Sequence, residues 1–272
     1  MNRSTCSTIP THGPLSSTAN FGFRGVKYAD DDPVAHAGEL VAFVARDFSK
    51  ERPVGDDGFA AYRALYEYDK GDLAVRTESA DDSNPDWRVE KVSFAAAYGR
   101  ERVPALLYLP KQGRPPYDTV VYFPGSSALG QRSSTLINTR AFDWVLKSGR
   151  ALIFPIYKST FERGDEVTFD YPSETNSFRE HVIAWAKDVR RSVDYLQSRS
   201  DIARDRIAYM GLSWGGAMAP VYLAVEPRFK AAVLIVPGFY AQRSMPEVEA
   251  INFAPPARED FGPHAQRTLR FF

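Results

Sequence analysis

The chain has 272 residues, enough for one large domain or two small ones with a substantial buried core. Its 34 Lys and Arg balance its 34 Asp and Glu, which argues against a nucleic-acid or membrane-surface partner, and with Cys6 as its single cysteine it can form no internal disulfide. The N-terminal residues lack the apolar segment of a secretory signal and no run is long enough to span a membrane, so we expect a cytoplasmic protein.

The N-terminal part of the chain contains no chemical motif. Residues 1–35 are rich in Ser, Thr, Pro and Gly, and we expect a flexible tail. Residues 36–85 are predicted to form a small helical preface, because segments 36–48 and 58–68 repeat apolar residues at helical spacing. Packing against a core is the interpretation favoured for both helices.

Residues 86–254 are predicted to form a partial α/β domain. Segments 87–94 and 102–109 are typical of an antiparallel pair of strands. Further strands are predicted at 119–123, 150–157, 206–213 and 229–236, and helices at 134–147, 176–198 and 214–225. This alternation predicts an α/β fold with a mostly parallel sheet, helices on both faces, and ligands beyond the carboxyl ends of the strands.

One motif carries chemistry. Gly211-Leu212-Ser213-Trp214-Gly215 has the pattern G-x-S-x-G and lies between a predicted buried strand and a predicted helix. A serine at such a tight turn exposes its hydroxyl, and the turn requires small residues two positions to either side. We therefore interpret Ser213 as a nucleophile.

An acyl-transfer serine also needs two donors for an oxyanion. The backbone N–H of Trp214 is the first candidate, and that of Ser126, in the turn FPGSS after strand 119–123, is the second; an ordinary Pro-Gly turn is the alternative for that segment. Tyr157, with Lys158 and Arg163, follows a strand end, where substrate contact and a solvated loop are both open. No metal or cofactor is implied.

These segments resemble the α/β-hydrolase superfamily, within it the dienelactone-hydrolase, acetyl-xylan-esterase and prolyl-oligopeptidase-like branch. The similar stretches are VVYFPGSSALG, RALIFPIYKSTFERG, RIAYMGLSWGG and EPRFKAAVLIVPGF, and they look like a bacterial subgroup often fused behind a protein kinase. The resemblance implies a serine hydrolase that cleaves a small-molecule ester or a peptide, with an Asp and a His completing the triad.

The triad partners are where the sequence departs from the family. The family places the Asp and then the His after the serine, each following a further strand. The histidines are His12, His36, His181 and His264, and only His264 follows Ser213. Asp260 lies four residues before it, too close for the missing strands. A solvated helix residue is the interpretation favoured for His181.

Residues 255–272 form an atypical tail without strand or helix periodicity. The family continues after NFAP with a segment similar to PRVK and later LNGRYDF, whose Asp is the triad acid. With suitable synonymous codons, the second reading frame of this tail yields both strings. We therefore hypothesise a frameshift near codons 255–256 and a truncated domain that lacks its last strands.

Two functional expectations follow from this interpretation. Without its Asp and His, the serine hydrolase is predicted to have little or no activity. The alternative is a non-catalytic pseudo-hydrolase that acts as an interaction module. A sheet that lacks its last strands would expose an edge, through which the chain could self-associate.

Overall fold

The structure is a computed structural model that describes residues 52–170 and 175–236. Its strands are β1 (Arg76–Asp81), β2 (Trp87–Ala95), β3 (Arg102–Pro110), β4 (Tyr117–Phe123), β5 (Ala151–Pro155), β6 (Ile202–Leu212) and β7 (Phe229–Ile235). Its α-helices are α1 (Asp56–Ala64), α2 (Ser127–Gly130), α3 (Asp143–Lys147), α4 (Asn176–Ser198) and α5 (Trp214–Val225).

The strands form one mixed sheet in the order β1-β2-β3-β5-β4-β6-β7. Strands β1, β2, β3 and β5 pair antiparallel, whereas β5, β4, β6 and β7 pair parallel. The connection from β4 leads to β5 on one side, and the next strand, β6, lies on the other side of β4. This reversal makes the carboxyl end of β4 a topological switch point, where ligands of open α/β sheets bind.

Helices cover both faces of the sheet because adjacent strand residues point to opposite sides. Phe123 and Tyr209 lie on the face covered by α4 and α5, where they pack with Val182, Trp185, Trp214 and Tyr222. Tyr122 and Met210 lie on the face covered by α2 and α3, where they pack with Phe142, Val145 and Leu146. The predicted α/β class is confirmed, and the parallel part of the sheet is the part that positions the motif.

Most predicted elements are present, with two differences. The predicted helix 134–147 is instead two 3₁₀ turns, Ser134–Leu136 and Thr139–Ala141, followed by the short α3. The predicted helical preface contributes only α1 among its described residues, and its later part forms β1, whose side chains are all exposed. The tail 1–35, the helix predicted at 36–48 and residues 255–272 lie outside the described residues.

Long apolar helices are absent from the described part of the chain. None of its helices combines the length and apolar character needed to cross a membrane.

Candidate active site

The backbone turns sharply at Ser213, between the end of β6 and the start of α5. Ser213 has φ 49° and ψ −107°, a combination outside the allowed regions of a non-glycine residue. Such a conformation destabilises the folded state by about 1–3 kcal/mol, and residues that adopt it are concentrated at functional sites. The amide of Ser213 donates to the carbonyl of Ile235 (2.9 Å), and its carbonyl accepts from Ala217 (2.9 Å). These bonds hold the strained turn between β7 and the first turn of α5.

The glycines of the motif are required by close backbone approach. A Cβ on Gly211 would lie well under 3.0 Å from the carbonyl oxygen of Gly215, across the turn. A Cβ on Gly215 would come equally close to the carbonyl oxygen of Phe123, the last residue of β4. The two small residues predicted from the motif are therefore explained by sterics, one within the turn and one against the neighbouring strand.

The turn after β4 reaches Ser213 because β4 and β6 run side by side. Phe123 pairs with Gly211, so the Pro124–Ser126 turn begins level with Leu212, one residue before Ser213. A Cβ added to Gly125 would lie 3.6 Å from the Cβ of Ser213, an ordinary contact distance. The amide of Gly215 also donates to the carbonyl of Pro124 (3.1 Å). The structure thus brings together the two segments that sequence reasoning selected.

Two backbone N–H groups near this junction are unused within the described residues. Neither the amide of Trp214 nor that of Ser126 donates a hydrogen bond to any of residues 52–170 or 175–236. Trp214 is the first residue of α5, whose N-terminal end carries a partial positive charge. Ser213 itself is half-buried, and its hydroxyl has no hydrogen-bond partner in the same ranges. An unpaired hydroxyl beside unpaired amides is an arrangement suited to acyl transfer.

An aromatic cluster fixes the two turns relative to each other. The Trp214 ring packs edge-on against Phe123, with centroids 4.7 Å apart, and against Trp185 of α4, at 4.8 Å. Trp214 is 1% exposed, so the residue after the serine is anchored in the core. Since Phe123 precedes the Pro124–Ser126 turn, one cluster positions both strand ends.

Tyr157 lies in the core and not at a ligand-accessible surface. Its side chain is fully buried, its hydroxyl donates to the carbonyl of Tyr122 (2.9 Å), and its ring stacks on Phe123 at 4.1 Å. Burial raises the pKa of the Tyr157 hydroxyl, so it remains a neutral donor. The structure therefore does not support a substrate-binding role for Tyr157; a strand-end position alone did not show that the side chain turns inward.

The loop that follows β5 is held by an ion cluster that sequence reasoning missed. Asp188 of α4 is fully buried; its carboxylate accepts from the Arg163 guanidinium (2.6 Å), the Lys158 amide (3.0 Å) and the Tyr98 hydroxyl (2.9 Å). Burial raises the pKa of Asp188, while the Arg163 charge opposes that shift. Glu101 completes the cluster by pairing with both Lys158 (2.8 Å) and Arg163 (3.0 Å).

His181 is buried, contrary to the solvated position predicted for it. Its Nδ1 lies 2.6 Å from the Ser177 carbonyl and its Nε2 2.9 Å from the Asp165 carboxylate. Both ring nitrogens are thus engaged by neighbouring oxygens. Asp165, Glu166 and His181 do place ligand atoms within 4.8 Å of one another. In this arrangement His181 has no free nitrogen to offer Ser213.

The other candidates for the triad belong to parts of the chain that the structure does not describe. Asp260 and His264 lie outside the described residues, as do His12 and His36. The described residues therefore supply the serine and the two candidate amide donors. The one histidine among them, His181, is hydrogen-bonded to Asp165.

Sequence and structure comparisons agree with this geometry. Residues 183–267 match the prolyl oligopeptidase family, a range that contains the motif and extends into the tail for which a frameshift is hypothesised. None of the curated proteins compared with the chain matches it significantly.

Several solved structures share the fold. An acetyl xylan esterase from Paenibacillus sp. R4 is 18% identical with a TM-score of 0.56, over 81% of this chain and 75% of that one. Acetyl xylan esterase 1 from Thermoanaerobacterium sp. JW/SL YS485 is 18% identical with a TM-score of 0.55, over 78% and 67%. A glucuronoyl esterase from Solibacter usitatus is 18% identical with a TM-score of 0.48, over 65% and 57%.

The chain spans only 57% of the length of the glucuronoyl esterase, and at such identities the likeness shows the fold alone. The matched range 183–267 contains the sharp turn at Ser213. The chain has the fold of the two acetyl xylan esterases, and its residues 183–267 match the prolyl oligopeptidase family.

Proposed function

We propose that this chain is a serine hydrolase for small carboxylic esters or amides, in which Ser213 forms an acyl-enzyme. The observation that carries the proposal is the strained backbone of Ser213 at the switch point of the sheet, beside Gly125. The Ser213 hydroxyl attacks the substrate carbonyl and gives its proton to water; the alcohol or amine then leaves, taking up a proton, and a second water hydrolyses the acyl-enzyme to the carboxylic acid. The amides of Trp214 and Ser126 stabilise the negative charge that develops on the carbonyl oxygen.

We also propose that the chain hydrolyses its substrates slowly. Both ring nitrogens of His181 are engaged, one by the Ser177 carbonyl and one by Asp165, so His181 is unavailable to Ser213. The short spacing of Asp260 and His264 does not fit the family's order of strand, Asp, strand, His. Losing the base of a serine triad lowers kcat by about 10⁴- to 10⁶-fold, which leaves slow attack by an unassisted Ser213, with the two amides as its oxyanion donors.

Hydrolysis of p-nitrophenyl acetate tests both parts. We expect a low rate that falls further to the protein-free background in Ser213→Ala, because no other group is mounted to form the acyl-enzyme. Ser83→Ala is a matched control at an exposed serine outside the cavities and is expected to keep the native rate. Equal rates for the native chain and Ser213→Ala would refute the nucleophile and favour a non-catalytic binding module, whereas rapid Ser213-dependent turnover would refute the slow-turnover proposal.

Self-association through the sheet edge is a separate part of the proposal. Within the described residues β7 pairs only with β6, and Lys230 to Val233 are exposed or half-exposed. An open edge of this kind can pair with a second copy. Sedimentation velocity should show concentration-dependent dimers that Val233→Lys weakens; a monomer at all concentrations would refute this.

A further inference from the structure

A cavity of about 210 Å³ begins beside the candidate nucleophile, on the face of the sheet covered by α2 and α3. Gly125 and Leu212 form part of its wall, and these residues flank the positions of Ser126 and Ser213. Its lining also includes Tyr122, Asn138, Phe154 and Phe161. The lining of the cavity therefore includes the residue before the proposed oxyanion donor Ser126 and the residue before the candidate nucleophile Ser213.

We propose that this cavity binds an aromatic ring of the substrate, and that the ring carries an oxygen substituent. The proposal rests on the proposed function, because it names the substrate class of the same site. According to this proposal, the enzyme prefers esters or amides that carry an aromatic ring over short aliphatic ones.

The size and walls of the cavity select a flat ring. A cavity of about 150 Å³ lined by apolar side chains is enough to hold benzene, so the present volume accommodates one ring with a short linker. Phe154 packs edge-on against both Tyr122 (5.1 Å) and Phe161 (5.9 Å). Aromatic walls at these angles offer ring edges and faces to a further ring, a contact that an aliphatic group cannot reproduce.

Two polar groups of the lining are available to a substituent on that ring. Tyr122 is 3% exposed, and its hydroxyl has no hydrogen-bond partner within residues 52–170 and 175–236. Burial raises the pKa of Tyr122 to about 12, so the hydroxyl is protonated at neutral pH. Asn138 uses its side-chain oxygen to accept from the Arg140 amide (3.1 Å), which leaves its amide N–H groups as donors. Both groups can therefore donate to a ligand oxygen without breaking a hydrogen bond that they already make.

The position of Phe161 gives the cavity a rigid wall. Phe161 has φ 47°, and it belongs to the loop after β5 that Asp188 and Arg163 hold through their 2.6 Å ion pair. Because the strained residue is fixed by a buried ion pair, the cavity is preformed and does not require ordering on binding.

The test measures binding to the full chain carrying Ser213→Ala, so that hydrolysis plays no part. The probes are the methyl esters of 3-(4-hydroxyphenyl)propanoate, 3-phenylpropanoate and 3-cyclohexylpropanoate, titrated by saturation-transfer NMR. We expect the phenyl ester to bind about threefold to tenfold more tightly than the cyclohexyl ester. Adding Tyr122→Phe should weaken the hydroxyphenyl ester about fivefold and leave the phenyl ester unchanged.

A pocket-filling pair supplies the control. Ala141 lines this cavity, and Ala184 lines a second one of about 170 Å³ beside His181 and Lys187. Ala141→Phe should reduce binding of all three esters more than tenfold, and Ala184→Phe should not, with circular dichroism confirming that both variants fold. Binding unaffected by Ala141→Phe, or equal affinity for the phenyl and cyclohexyl esters, would overturn the aromatic site. Because these measurements need no reaction at Ser213, either outcome is distinguishable from failure of the hydrolase proposal.

Discussion

Gly215→Ala is the substitution that probes the elbow most sharply without touching the serine. The added Cβ would overlap the carbonyl oxygen of Phe123 and lie 2.9 Å from its carbon. Both atoms belong to the backbone of β4, which cannot rotate away as a side chain could. Overpacking costs typically about 1–3 kcal/mol, and contact with backbone places this site near the upper end.

Alanine also gains about 1 kcal/mol over glycine within a helix, and residue 215 lies in the first turn of α5. The free energy of unfolding should therefore fall by about 2 kcal/mol net, which lowers Tm by about 4–8 °C for a chain of this size. Thermal unfolding followed by circular dichroism measures the shift.

Gly125→Ala is the matched control for this experiment. Its added Cβ would have its nearest neighbour at 3.6 Å, in ordinary van der Waals contact. We expect Tm within about 2 °C of the native value, in line with a change under about 0.5 kcal/mol. If Gly215→Ala and Gly125→Ala melt alike, the close approach of β4 to the elbow is wrong.

Three further predictions concern the buried ion pairs and the serine. Asp188→Asn should lower the free energy of unfolding by about 3 kcal/mol, since it removes the fully buried partner of Arg163 and leaves only Glu101, whereas Asp118→Asn at an exposed pair with Arg206 should change urea denaturation little. Burial raises the pKa of Asp165, but its hydrogen bonds, the strongest of them with His181, together outweigh burial and lower the pKa, so the stabilisation is full above about pH 4 and is lost as pH falls through the folded pKa. The stability gap between the native chain and Asp165→Asn should accordingly stay constant from pH 6 to pH 4 and narrow below that; a gap that widens in acid would contradict it. Ser213→Ala should abolish the slow hydrolysis of p-nitrophenyl acetate while Ser83→Ala retains it.

Regular patterns made part of the fold predictable. The helix predicted at 176–198 has the observed bounds because its apolar stripe is continuous and the Thr175 side chain accepts from the Phe178 amide at its start. The elbow was predictable because its glycines are local in sequence. The helix predicted at 134–147 was wrong: the side chains of Ser133 and Asn138 accept from backbone amides two residues on, and such local bonds compete with a helix.

Features made by distant residues were not predictable from the chain alone. Asp188 meets Tyr98 across 90 positions, and no spacing rule connects them. Strand β1 carries only exposed side chains, so it lacked the alternation that marks a strand. Tyr157 and His181 were misplaced because their burial depends on Phe123 and Asp165, which approach only in the folded chain.

Covalent labelling tests the central claim that the turn between β6 and α5 positions Ser213 to act as a nucleophile. The native chain is incubated with a fluorophosphonate for an extended time, digested with trypsin and mapped by mass spectrometry. Ser213 is the one serine in the tryptic peptide 207–228, so an adduct there is unambiguous among serines. We predict slow labelling of that peptide at Ser213, with none in Ser213→Ala and none at Ser126 or Ser127. Labelling that is distributed over other serines, or a peptide 207–228 that stays unmodified, would contradict it.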